Sequence, residues 1–146
     1  MKYLAVAVIL VVGLTLIGCG SNSSNSANVN GTWNATLMSG GNSPAFTFGT
    51  SMTVNNDGSI SISNFSFSTN SPCFASGETE SGSFTLAGNF SGQANGKFGM
   101  TVVSKSPSGN TLALTGNVNG NTITGNWTLT GSSSCTGSGT FTMTKM

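Results

Sequence analysis

The chain has no histidine and no arginine, and its 146 residues include only three carboxylates and four lysines. Without histidine it lacks the one side chain that ordinarily titrates near neutral pH, which is also the commonest metal ligand. Without arginine it lacks the planar fork that grips phosphate and base edges. From Cys19 onward Asp57, Glu78 and Glu80 balance Lys97, Lys105 and Lys145, so no basic face exists. Nucleic acid, metal ions and cofactors are accordingly not expected as partners. Long apolar runs are scarce too: one uncharged run, residues 3–17, follows Lys2. It falls short of the roughly 20 residues a membrane-spanning helix needs. A single positive charge before a short apolar core is the layout of a signal peptide.

The run ends in Leu16-Ile17-Gly18-Cys19. An aliphatic residue, a small residue and a cysteine in that order resemble the lipobox of bacterial lipoproteins. The resemblance implies diacylglycerol on the Cys19 thiol, cleavage between Gly18 and Cys19, and acylation of the new terminal amine. In that family Gly20, standing where an aspartate would signal inner-membrane retention, points to the outer membrane of the cell envelope. The chain thus divides into a signal peptide (residues 1–18), a lipidated cysteine with a flexible stalk (19–30) and one folded domain (31–146). The stalk is nearly all Gly, Ser and Asn, a composition that forms no core. Any membrane association is expected to run through the lipid on Cys19.

In the folded part apolar residues alternate with Thr, Ser, Asn or Gly, the period of strands with one dry face. Trp33, Ala35 and Leu37 open the pattern; Phe46 to Val54, Ile60 to Phe67, Phe84 to Phe90, Phe98 to Val102, Leu112 to Val118 and Ile123 to Leu129 continue it. Phe141 and Met143 close it. A change of parity near Asn64 predicts a β-bulge. The total is eight strands and no helix.

The connections are expected to alternate in length. Asp57-Gly58, Asn95-Gly96 and Asn119-Gly120 supply the positive φ that tight hairpins need. The other four are read as longer loops, three of them containing Pro44, Pro72 and Pro107. In an up-and-down meander the longer loops share one end. Cys73 and Cys135 both fall there, and with Cys19 consumed by lipid they form an even pair in an oxidising compartment, which predicts a disulfide. Closing a loop of about 60 residues stabilises by roughly 4 kcal/mol on the chain-entropy model.

Eight antiparallel strands can close into a barrel or split into a β-sandwich. The position of Trp127 just before the second cysteine departs from an immunoglobulin-type sandwich. Gly31-Thr32-Trp33 on the first strand is similar to the first-strand motif of lipocalins and avidins, and the resemblance implies a calycin-like up-and-down barrel with a ligand mouth at one end. Lipocalins often lay an arginine over that tryptophan, and this chain has none. With Trp33 and Trp127 the only tryptophans and no tyrosine after Tyr3, an avidin-type biotin site is not expected. A barrel embedded in the outer membrane shows the same alternation, but the anchor, the missing tyrosine girdle and the short strands argue against it.

Few residues can carry chemistry, and the chain is not expected to be an enzyme. Glu78 and Glu80 share the parity of Phe84 and Leu86, so both can reach a barrel mouth, where paired acids could act on a sugar; solvated loop charges are the simpler reading. Trp127 offers a stacking face for a small uncharged or apolar ligand, against a plain core role for it and for Trp33. Two functions remain: a ligand-binding barrel, or a ligand-free structural or adhesion module whose interior is filled by its own side chains.

Overall fold

The computed structural model describes residues 28–41, 43–78, 83–92 and 96–146. The segment read as a signal peptide, Cys19 and the greater part of the segment read as a stalk lie outside the described residues. The strands are β1 (Gly31–Met38), β2 (Pro44–Val54), β3 (Ile60–Thr69), a two-residue β4 (Gly77–Glu78), β5 (Phe84–Phe90), β6 (Lys97–Lys105), β7 (Ser108–Asn119), β8 (Thr122–Thr130) and β9 (Gly137–Lys145). The eight long strands are those read from the alternation. No helix occurs among the described residues.

All pairings are antiparallel, and the sheet order is β4-β3-β2-β1-β9-β8-β7-β6-β5. First and last strands pair over six residues, Trp33 against Lys145 through Met38 against Thr140. The outermost long strands, β3 and β5, meet at one bridge, Ser59 just before β3 with Asn89, beside a hydrogen bond from Phe90 N–H to the Gly58 carbonyl of 2.8 Å. The result is a nearly closed eight-stranded up-and-down barrel. We call the end where β1 begins the base and the end where it finishes the rim.

The inward parity is the apolar one. Trp33, Phe65, Phe67, Phe98 and Phe141 are all but fully buried, with Leu37, Met52, Leu112, Leu114, Ile123 and Met143 among them. The bulge is where the parity change places it: Asn64 has φ 49°, and the β2–β3 register slips between Gly49 and Ser51. The extra residue lets Ile60 and Phe65, of opposite parity, both reach the core.

Three connections differ from expectation. The fifth is a two-residue turn, Ser106-Pro107, whose peptide is cis, because β7 begins at Ser108. Asn110 is buried at 3 % exposure, so a polar residue holds an inward position and hides the strand's start from a reading based on apolar residues. The fourth spans six residues between Phe90 and Lys97; Ser91 N–H bonds the Lys97 carbonyl across its neck and the left-handed glycine is Gly92, φ 75°. Asn95 lies outside the described residues. The third connection contains β4, whose Gly77 and Glu78 pair with Phe67 and Ser66. The turns at Gly58 (φ 82°) and Gly120 (φ 58°) are as the sequence indicates.

Candidate functional site

A binding barrel needs a mouth, so the two ends are the places to look. At the base, the chain preceding β1 folds across the opening. Val29 is fully buried, and its carbonyl accepts the Trp33 indole N–H at 2.8 Å. Asn30 Oδ1 takes the Val54 N–H at 2.7 Å. Lys145 donates to the Asn28 carbonyl at 3.1 Å, with its ammonium 5.8 Å from the centre of the Trp33 ring. Gly31, at φ 125°, makes the bend between strap and strand in a conformation that side chains resist. Residues 28–30, assigned by composition to the stalk, are thus a plug. Val29, the one large apolar side chain there, finds its cover only once the barrel has formed.

At the rim, the third and seventh connections are joined by the Cys73–Cys135 disulfide, with a Cα–Cα distance of 5.5 Å. Asn110 donates from Nδ2 to the Cys73 carbonyl at 2.7 Å and accepts the Ser132 N–H at Oδ1 at 3.4 Å, so it clamps both connections at once. Phe74, the residue after the cysteine, is 3 % exposed. Its ring lies 5.9 Å from Phe46, edge-on, and 5.3 Å from Phe67. Apart from Cys73, itself buried, the rest of the segment is exposed or half-buried and is held by its own polar contacts. Thr69 N–H donates to the Ser76 hydroxyl at 3.1 Å, and Ser71 N–H to the Thr69 hydroxyl at 2.9 Å. Residues 70–76 therefore form a lid attached by one covalent bond, one buried amide clamp and one aromatic ring.

Beneath the lid Trp127 meets Phe46 edge-on at 5.4 Å, and Phe84 packs on Phe65 and Phe67 at 5.4 and 5.5 Å. Trp127 crosses Gly139 on β9 and donates its indole N–H to the Met38 carbonyl at 3.1 Å, tying β8 to the end of β1. Its place is a packed one, 3 % exposed, and its polar atom is already spent. Among the described residues Ser104 is the exception to satisfied polarity. It is 2 % exposed, stands opposite Phe84 in the β5–β6 ladder, and its hydroxyl has no hydrogen-bond partner.

The predicted acids do not assemble into a described pair. Glu78 is placed by its main chain alone, opposite Ser66, and Glu80 lies outside the described residues. Asp57, exposed in the β2–β3 turn, accepts from the Ser59 hydroxyl at 2.6 Å and the Ser59 N–H at 2.9 Å. Those two bonds, the hydroxyl's first, hold its pKa below the ordinary 3.8. Its charge serves the turn. No group of three or more metal-binding side chains occurs among the described residues.

The outer wall carries shallow, solvent-open grooves. One of about 230 Å³ lies over Ala87, Asn89, Gly99, Thr101, Ala113 and Thr115, and another of about 420 Å³ over Asn34, Thr36, Thr47, Gly49, Ser66 and Ser68. Both are lined by uncharged side chains and hold no nucleophile poised beside a base. Reading the sequence found the disulfide but missed Val29, Phe74, Asn110 and Ser104, and Trp127, named there for a stacking face, stands in the packed place read as its alternative. A phenylalanine directly after a loop cysteine, inside a polar segment, is the one local signal that could have marked the lid. A scan of protein-family models, a search of curated proteins and a search of solved structures each find no match to the chain.

Proposed function

We propose that the chain is a lipid-anchored envelope protein whose barrel is a self-filled scaffold, displaying its outer wall and rim loops rather than enclosing a ligand or catalysing a reaction. The observation that carries this reading is that both ends are closed by the chain's own segments. Val29 sits under Trp33 at the base, and Phe74 sits under the disulfide at the rim. Interlocked rings occupy the space between β2, β3, β5 and β8, where a calycin-like barrel would hold its ligand. Apolar ligands need empty apolar volume, and a packed interior offers little.

The anchor fits the same picture. The chain enters the barrel at the base, so a lipid on Cys19 draws the base toward the bilayer and leaves the rim facing outward. Residues 20–27 extend over at most roughly 30 Å, which keeps the domain near the membrane surface. Metabolic labelling with a fatty acid is expected to mark the wild type and not Cys19→Ala; label retained by the variant would reject the anchor. The oxidised protein is expected to leave the fluorescence of phenylnaphthylamine, an uncharged apolar probe, unchanged. Saturable uptake by that form would reject the self-filled scaffold in favour of a resident ligand site.

A further inference from the structure

We propose that the rim is a latched binding mouth. Phe74 occupies a site for a small, uncharged, mainly aromatic molecule carrying one hydrogen-bonding group, and the Cys73–Cys135 disulfide holds it there. This goes beyond the scaffold reading, which describes the oxidised, closed form.

Three observations converge on it. First, the cross-link joins two connections and no strands. The ladders that close the barrel, including β1 with β9 and β8 with β9, run without it. Cutting it therefore frees the lid before it frees the wall. Second, Phe74 is the lid's one inserted ring, and its neighbours Phe46 and Phe67 belong to the wall, as does Trp127 beside Phe46. Withdrawing Phe74 leaves a ring-sized, aromatic-lined recess at the barrel end, and apolar recesses of that size bind aromatic molecules rather than water. Third, the Ser104 hydroxyl, on the same end and next to Phe84 in the ladder, is buried with no partner. A buried hydroxyl without a partner is costly and uncommon, and it is the group that a ligand donor or acceptor would satisfy. The inward side chains named at this end carry no charge, so the recess selects against charged molecules.

Opening requires a dithiol reductant. One of its thiolates attacks a sulfur of the bridge to give a mixed disulfide, and its second thiol resolves that bond. Two electrons and two protons pass to the protein, leaving Cys73 and Cys135 as thiols and the reductant as a disulfide. Reoxidation reverses the exchange and reseats Phe74.

The test compares full-length wild type, oxidised and treated with dithiothreitol, with the double variant Cys73→Ser/Cys135→Ser, which needs no reductant to reach the open form. The probe is phenol, followed by titration calorimetry; benzene, which lacks the hydroxyl, is its control. The expected result is no uptake by oxidised protein and saturable uptake of one probe per chain by both open forms, with the barrel's circular dichroism and cooperative unfolding retained. In the double variant, Ser104→Ala is expected to weaken phenol about three- to ten-fold, the worth of one hydrogen bond, and benzene little. Phe74→Ser with the disulfide intact is expected to bind the probe without reductant. Absence of uptake by the open forms, or uptake accompanied by loss of cooperative unfolding, would overturn the latch and leave the scaffold reading standing. Equal uptake by the oxidised form would overturn both.

Discussion

Gly137 and Gly139 stand two residues apart on β9, both on its inward side, and make a sharp test of how the rim is packed. A methyl group added at Gly139 would collide with the Met38 carbonyl and approach Trp127 Nε1 to 2.8 Å. It would enter the path of the indole hydrogen bond that ties β8 to β1. Overpacking costs about 1 to 3 kcal/mol. Loss of the bond adds about 1 kcal/mol. Restricting the unfolded chain returns about 0.4 to 1 kcal/mol. Gly139→Ala is therefore expected to lose about 2 kcal/mol. At roughly 4 °C per kcal/mol for a domain of this size, the midpoint falls by roughly 8 °C. At Gly137 the same methyl would meet nothing nearer than the Trp127 ring at 3.6 Å, an ordinary contact. Gly137→Ala is expected to be neutral or slightly stabilising, within about 1 kcal/mol. Urea and thermal unfolding, followed by tryptophan fluorescence and circular dichroism, measure both. Equal effects at the two positions would refute the argument, since they would mean that the Trp127–Met38 contact does not hold the rim.

Two further outcomes follow from single contacts. Asn110→Ala removes the amide clamp and leaves the Cys73 carbonyl without its donor; a loss of about 2 kcal/mol is expected in urea unfolding, whereas Asn117→Ala, exposed on the same strand, should change stability by less than about 0.5 kcal/mol. Because the folded pKa of Asp57 is depressed, its contribution is complete above its unfolded value and disappears as pH falls through the folded one. Asp57→Asn should thus be less stable than wild type near pH 6 and indistinguishable from it near pH 2, by urea midpoints across that range.

Local chemistry dictated much of the architecture. Strict alternation, with Asp57-Gly58 and Asn119-Gly120 between runs, specifies antiparallel strands with one dry face, because side chains on a strand alternate sides and only positive-φ residues fit such turns. The slip at Asn64 was legible for the same reason, and so was the disulfide, since two cysteines assigned to one end of a meander need only a shared compartment. The choice between barrel and sandwich was not legible locally. It depends on β1 pairing with β9, a contact between residues more than a hundred positions apart that no window of sequence contains.

The ends of the barrel were likewise decided by tertiary structure. Val29 belongs to a segment whose composition reads as a stalk, and Phe74 to one that reads as a loop; each is buried because a finished barrel presents an opening of its size. Asn110 reads as a surface residue and is interior, because the Cys73 carbonyl and the Ser132 N–H satisfy it there. Trp127 carries the same lesson from the other side. Its aromatic face made it a candidate for a mouth, but what a side chain can bind depends on what has already bound it. For Trp127 that is the Met38 carbonyl and the edge of Phe46. Periodicity thus determined which face of each strand is dry, and long-range closure determined what fills the space those faces enclose.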